Sequence, residues 1–417
     1  MRPEQLASRP VSVAAGAAGP ATQFGEIRYI VGLAHDRDVL AESSPLGPIS
    51  LGPPPDPCGA AMSEKPNFLF TTCQIGAETA LKAEIARAWP NFHFSFSRPG
   101  FLTFKLPEGH GLVADFDLGS TFARAYGFSL GRATGNTLDD LAAQAWQIYG
   151  TRPVRGLHVW QRDLAPAGLH GYEPQLTSTA LAARSAIEAA CPNEEVRARL
   201  RSPVDLAVDG DFVLDCVLVE PDQWWVGYHR AKGPCTRAAG GMIALSPPET
   251  PVSRAWYKLE EGLAWSELPV PDAARFADLG CAPGGISQAL LQRGHWVLGV
   301  DPAEIDGAVL EHPRFEHVRR RTPQVKRRDF RKIRWLTADM NVAPQYTLEA
   351  VESIVTHREV RVRGLLLTLK LLKWNLAERI PEYVDQVRSW GFNHVWTRQL
   401  TCNRQEICLA ALKKPFT

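Results

Sequence analysis

Four side chains could do chemistry together, in the chain order Lys258, Asp339, Lys370 and Glu406. Lys370 sits inside the apolar run "GLLLTLKLLKW". A lysine in such a strand must be desolvated, paired or at the strand's end. Burial lowers a lysine pKa, and a second cation nearby lowers it further. Lys258, in "SRAWYKLEE", is the candidate second cation. Asp339 closes the apolar strand "WLTADM", and Glu406 opens the last strand, "QEICLAALK". The expected constellation is therefore an amine held near two carboxylates at strand ends.

A ligand pocket is expected beside it. In "FADLGCAPGGISQALLQRG" a strand ends at Asp278, a Gly-rich turn runs from Gly280 to Gly285, and a helix follows. Glycines let backbone approach a ligand and adopt positive φ, and a helix start offers free N–H groups. The next strand ends at Asp301, an acid placed to receive a ribose diol. Three readings apply to this turn: a methyl-donor pocket, a dinucleotide pocket and a purely structural turn. The GxxxGG spacing, in place of GxGxxG, and Pro283, which lacks an N–H, favour the first. Asp329 in "KRRDFRKI" is a candidate for an adenine amino group, with a surface acid as its plain alternative.

The elements that must position these groups follow from periodicity. From Ser253 onward, apolar strands alternate with helical stretches, the pattern of a mainly parallel, helix-covered sheet in an α/β fold. Ahead of it, 63–150 and 151–235 read as two α+β units, and the Gly/Pro-rich 236–252 as a linker. In the first unit Phe92, Phe94 and Phe96 alternate, a turn falls at Arg98-Pro99-Gly100, and Leu102, Phe104 and Leu106 alternate again. That pattern predicts a hairpin with one buried face. In the second, "VDLAVDGDFVLDCVLVE" is expected to fold back at Asp209-Gly210. Residues 1–62 hold nine prolines and read as a disordered leader, with Met62 as the expected natural start.

Bulk properties exclude several classes. The chain has 417 residues and a net charge of +1, so no whole-protein field points to a polyanion. No apolar run has membrane-spanning length. None of the eight cysteines forms a CxxC pair, so free thiols in a reducing, cytoplasmic setting are expected and no metal site. Neither Cys281 nor Cys402 sits in a Pro-Cys nucleophile motif, and no NPPY-like motif is present.

"SRAWYKLEE", "DLGCAPGG", Val300-Asp301, "RRDF", "ADM", "LKL" and "RQE" occur in the order found in FtsJ-like ribose 2′-O-methyltransferases, most similar to the RlmM-type enzymes of the large ribosomal subunit. The resemblance covers about residues 63–417 and is strongest after Ser253. It implies a Rossmann-like methyltransferase domain over 253–417 behind a THUMP-like RNA-binding region at 151–235. It implies S-adenosyl-L-methionine as methyl donor, contacted by Ser253, Ala282, Pro283, Gly284, Gly285, Asp301, Asp329 and Asp339. Ser253 also has a reading as a helix N-cap. Lys370 would be the proton acceptor, with Lys258, Asp339 and Glu406 completing a tetrad. The departure is Cys281-Ala282 before Pro283, where the family relative has Ala-Cys; a backbone contact tolerates that swap.

The implied substrate is ribosomal RNA, a large-subunit precursor methylated at a cytidine of the peptidyl-transferase region. In that context the run at 319–334, with nine Lys/Arg and one acid, becomes a phosphate-binding surface carried by Arg319, Arg320, Arg321, Lys326, Arg327, Arg328 and Arg331. Trp335 and Trp374 are read as core residues, with base stacking as the alternative. Two rival functions stay open: a catalytically silent RNA-binding or assembly factor, and a methyltransferase with a different acceptor.

Overall fold

The computed structural model describes residues 66–202 and 205–413. The leader expected over 1–62, the expected start at Met62 and Cys58 lie outside these residues.

The N-terminal part is one seven-stranded sheet. Its strands are β1 (Phe68–Thr72), β2 (His93–Arg98), β3 (Phe101–Lys105), β4 (Ala125–Thr134), β5 (Gly156–Gln161), β6 (Phe212–Glu220) and β7 (Gln223–Arg230), in the spatial order β2-β3-β1-β4-β7-β6-β5. Only the β5–β6 pair is parallel. Its helices are α1 (Glu78–Ala88), α2 (Leu138–Tyr149), α3 (Ser178–Ala189) and α4 (Glu194–Arg199). Thr137 and Thr177 cap α2 and α3 by accepting from the backbone N–H of Asp140 and Ala180.

Four expectations change here. The segments read as separate units, 63–150 and 151–235, share this sheet, because β4 pairs with β7. The Phe alternation in β2 does not mark a buried face: Phe92 is buried, Phe96 half-buried and Phe94 exposed, because β2 is an edge strand. Asp209-Gly210 makes no hairpin; the chain reverses between Glu220 and Gln223, and Gly210 and Asp211 pair instead with Ala231 after β7. The stretch read as a linker is also anchored, since Arg124 donates to the Gly240 carbonyl and Gly240 and Gly241 are buried.

The C-terminal sheet joins β8 (Arg275–Leu279), β9 (Trp296–Val300), β10 (Phe315–Val318), β11 (Trp335–Ala338), β12 (Gly364–Lys370), β13 (His394–Arg398) and β14 (Glu406–Leu412) in the order β10-β9-β8-β11-β12-β14-β13. β14 alone runs antiparallel to its neighbours. The helices are α5 (Ala255–Ser266), α6 (Gly285–Gln292), α7 (Gly307–Leu310), α8 (Pro344–Val355) and α9 (Ile380–Ser389). β11, β12 and β14 are buried almost throughout, as expected of strands covered on both faces. The chain order along the sheet reverses between β8 and β11, and the carboxyl ends of strands at such a switch point open the crevice used by ligands of α/β sheets. Among the described residues no helix is long and apolar enough to cross a membrane.

The two sheets are tied together by polar contacts at the end of β13. Gln399 N–H donates to the Thr121 carbonyl at 2.7 Å, and Arg398 donates to the Arg124 carbonyl at 2.8 Å.

Gly364 shows how tightly the second sheet packs: a Cβ there would lie 2.2 Å from Cζ3 of Trp335, which is buried and stacks on Phe276. Gly364→Ala is expected to destabilise the protein by about 1–3 kcal/mol through overpacking. Urea denaturation of both proteins checks this; an unchanged midpoint would mean that the ring has room to move.

Candidate functional site

Lys258 lies one turn into α5, Asp339 directly follows β11, Lys370 ends β12 and Glu406 starts β14. β12 and β14 pair antiparallel with Lys370 opposite Glu406, so strand register alone sets those two side by side. The four groups close into a ring. Lys258 Nζ lies 3.0 Å from Asp339 Oδ2 and 2.7 Å from Glu406 Oε1. Lys370 Nζ lies 2.9 Å from Asp339 Oδ1 and 2.5 Å from Glu406 Oε2. Side-chain exposure is 19% for Lys370 but 9%, 10% and 5% for Lys258, Asp339 and Glu406. Lys370 is thus the member that faces the crevice.

The charges balance within the ring. Burial opposes ionisation of Glu406, but Lys258 and Lys370 outweigh it and hold its carboxyl down at about 2. Burial likewise opposes the Lys258 ammonium, and the carboxylates of Asp339 and Glu406 overcome it, raising that amine above its ordinary value. The second cation expected to press on Lys370 therefore stands across two carboxylates. What Lys370 touches is negative charge.

Three residues without a sequence signal support the ring. Asn403, fully buried, donates from Nδ2 to Glu406 Oε1 at 3.3 Å and accepts from Leu400 N–H at 2.8 Å. Glu261, one turn after Lys258 on α5, accepts from Thr401 and Cys402 N–H at 2.7 and 3.3 Å. Gln74, from the N-terminal sheet, donates to the Asn403 carbonyl and accepts from Gln399. The apolar periodicity of the sequence carries no trace of these polar links.

The Gly-rich turn lies at the end of β8. Gly280 and Gly284 have φ of 75° and 125°, which side chains rarely adopt. Gly285 has no room for a Cβ, which would fall 2.2 Å from Ser253 Oγ. Ser253 Oγ accepts from Ala255 N–H at 3.3 Å, so it fastens the start of α5 against the turn. Asp301 accepts from Ala282 and Ala303 N–H at 3.4 and 2.8 Å and stays partly exposed. Asp278 is fully buried, held by Ser287 at 2.7 Å and Thr337 at 3.1 Å, and burial raises its carboxyl to about 7. It braces the strand and does not face the crevice.

Other candidates are not drawn into this cluster. Asp329 is exposed on the turn Arg327–Phe330, 4.0 Å from the Arg328 guanidinium. Arg320, Arg321, Lys326, Arg328 and Arg331 are exposed. Arg319 pairs with Glu304 at 3.3 Å, and the half-buried Arg327 donates to the carbonyls of Thr322 and Val325. Burial pushes the thiols of Cys281 and Cys402 up, which disfavours either as a nucleophile. Trp335 is core, as read.

One cluster went unread in the sequence. Buried His158, Asp215 and His229 present ligand-type atoms within 4.8 Å of one another. His229 bonds Asp215 at 2.6 Å and the Thr236 carbonyl at 2.8 Å, which engages both ring nitrogens inside the protein.

Residues 251–379 match the FtsJ-like methyltransferase family. That span contains Lys258, Asp339 and Lys370, while Glu406 lies beyond it. The protein named Ribosomal RNA large subunit methyltransferase M from Halorhodospira halophila is 31% identical over 185 residues, 43% of this chain and 52% of that one. Its namesake from Histophilus somni is 29% identical over 205 residues, 47% and 56% of the two chains. A third, from Xanthomonas oryzae pv. oryzae, is 29% identical over 217 residues, 49% and 57%. The matches span about half the length of these relatives.

The charge balance has a measurable consequence. Because the folded Glu406 carboxyl titrates at about 2, below its ordinary 4.5, its stabilisation is present above about pH 4.5 and lost as pH falls towards 2. Urea denaturation across this window should show the loss in the native protein and a shallower slope in Glu406→Gln. Equal slopes would mean that Glu406 is not held by the two lysines.

Proposed function

We propose that this chain, whose residues 251–379 carry an FtsJ-like methyltransferase domain, is an S-adenosylmethionine-dependent 2′-O-ribose methyltransferase acting on large-subunit ribosomal RNA. The observation that carries the reading is the closed Lys258–Asp339–Lys370–Glu406 ring at the strand ends.

The turn and Asp301 fit the methyl donor. Asp301 is a partly exposed carboxylate directly after β9, suited to a ribose diol, and the glycines bring backbone up to the same crevice. When bound there, S-adenosylmethionine supplies an electrophilic methyl group. The chain's own residues do the rest. A 2′-hydroxyl is a poor nucleophile, so its proton must leave as the oxygen attacks. Lys370 first gives up to solvent the proton it carries in the charge-balanced ring, and as the free amine it then takes the hydroxyl's proton at Nζ. Asp339 and Glu406 aim Nζ at the crevice, and Lys258 offsets the carboxylate charge behind it. Holding the hydroxyl in line with the methyl group supplies much of the rate gain. Asp329 and the exposed part of the basic run extend the site towards adenine and RNA phosphate respectively. A ribosomal substrate fits a cytoplasmic enzyme, and methylation of a precursor fits this reading. The ring and the buried thiols speak for a hydroxyl acceptor over a base attacked through cysteine.

The test is substitution of Lys370. Lys370→Ala removes the amine; Lys370→Arg keeps the charge but cannot accept a proton. Both are expected to lose at least about a hundredfold in methyl transfer to ribosomal RNA, with donor binding by calorimetry unchanged. Near-normal turnover of the arginine variant would leave Lys370 an electrostatic residue and remove it as the base.

A further inference from the structure

A cleft of about 400 Å3 lies next to the ring, between the N-terminal sheet and the catalytic domain. Its walls include Gly76 from the loop after β1, Leu169 from the loop after β5, Trp374, Arg404 and Gln405. Arg404 and Gln405, in the connection just before β14, link it to the ring. Arg404 N–H points to Glu406 Oε1 at 3.5 Å, and the Gln405 carbonyl accepts from Leu371, the residue after Lys370. Whatever occupies this cleft is therefore a near neighbour of a group reacting at Lys370.

Three features define its chemistry. Trp374 meets Phe122 edge to face at 6.2 Å and is only partly buried. Gly76 packs against one edge of its indole, where a Cβ would lie 3.7 Å from Cζ2 and 3.9 Å from Nε1, in ordinary contact. Arg404 is exposed, donates to the Gly168 carbonyl at 3.0 Å and makes no ion pair among the described residues. An aromatic face and an unneutralised guanidinium, set beside a base for ribose hydroxyls, match the two recurring parts of an unpaired nucleotide, its base and its phosphate.

We infer that this cleft seats a nucleotide flanking the reacting ribose, with Trp374 stacked on its base and Arg404 paired with its phosphate. The inference rests on the ribose-methyltransferase reading above. It makes the loops after β1 and β5 part of the acceptor site, since Gly76 and Leu169 line the cleft together with Trp374. The acceptor is then a single-stranded or splayed segment, because a paired base could not enter.

The experiment measures direct binding of a large-subunit ribosomal RNA fragment, and separately KM and kcat for methyl transfer, using the full chain. Arg404→Ala should weaken RNA binding and raise KM by roughly tenfold, with a flatter dependence on salt. Trp374→Ala should weaken binding to a similar degree with the salt slope unchanged, and Trp374→Phe should recover most of it. Donor affinity and kcat should stay as in the native protein. RNA affinity unchanged in both Arg404→Ala and Trp374→Ala, together with an unchanged KM, overturns the cleft's role even where transfer to RNA is intact. Weakened RNA binding in these variants of a protein that never methylates RNA supports the cleft and overturns the functional reading alone.

Discussion

Four buried or half-buried charges that neutralise one another are the constraint on which the rest of the site depends. Taking a carboxylate or an ammonium out of water costs several kcal/mol, and only close, well-oriented opposite charges offset it. The ring meets that demand because α5, β11, β12 and β14 each deliver one member to the same end of the sheet. Removing any one member leaves an uncompensated charge in a desolvated place. The same balance leaves Lys370 aimed outward as the most exposed member, the one position from which an amine could meet an incoming hydroxyl.

The ring in turn constrains the elements around it. Glu406 opens β14 straight after a tight connection from β13, and that connection is held from three sides. Glu261 binds its backbone from α5, Asn403 bridges it to Glu406, and Gln74 reaches in from the other sheet. The N-terminal region is thus joined to the support of the ring by direct hydrogen bonds and is not a tethered accessory. The Gly-rich turn is linked as well, because Ser253 packs closely against Gly285 and accepts from the start of the helix that carries Lys258.

Local features of this site were legible in the sequence, and long-range ones were not. The strand–turn–helix around Gly280–Gly285 follows from apolar runs meeting glycines, and the strand positions of Asp339, Lys370 and Glu406 follow from the runs that enclose them. That these side chains form one ring came from family resemblance, since periodicity says nothing about which strands become neighbours. The N-terminal errors share that cause. Alternating Phe92, Phe94 and Phe96 cannot reveal an edge strand, and the β4–β7 pairing joins segments almost a hundred residues apart. Asp209-Gly210 is turn chemistry with no strand among the described residues just ahead of it. Gln74 and Asn403 are single polar residues whose value lies only in where the folded chain brings them.

The most direct measurement is the chemical location of the transferred methyl. The purified protein is incubated with large-subunit ribosomal RNA and S-adenosylmethionine labelled in its methyl group, and the RNA is then digested to nucleosides. The account predicts label in a single 2′-O-methylated nucleoside, with the linkage on its 3′ side resistant to alkali because the neighbouring hydroxyl is blocked. Label on a nucleobase, or in protein and not in RNA, would contradict it.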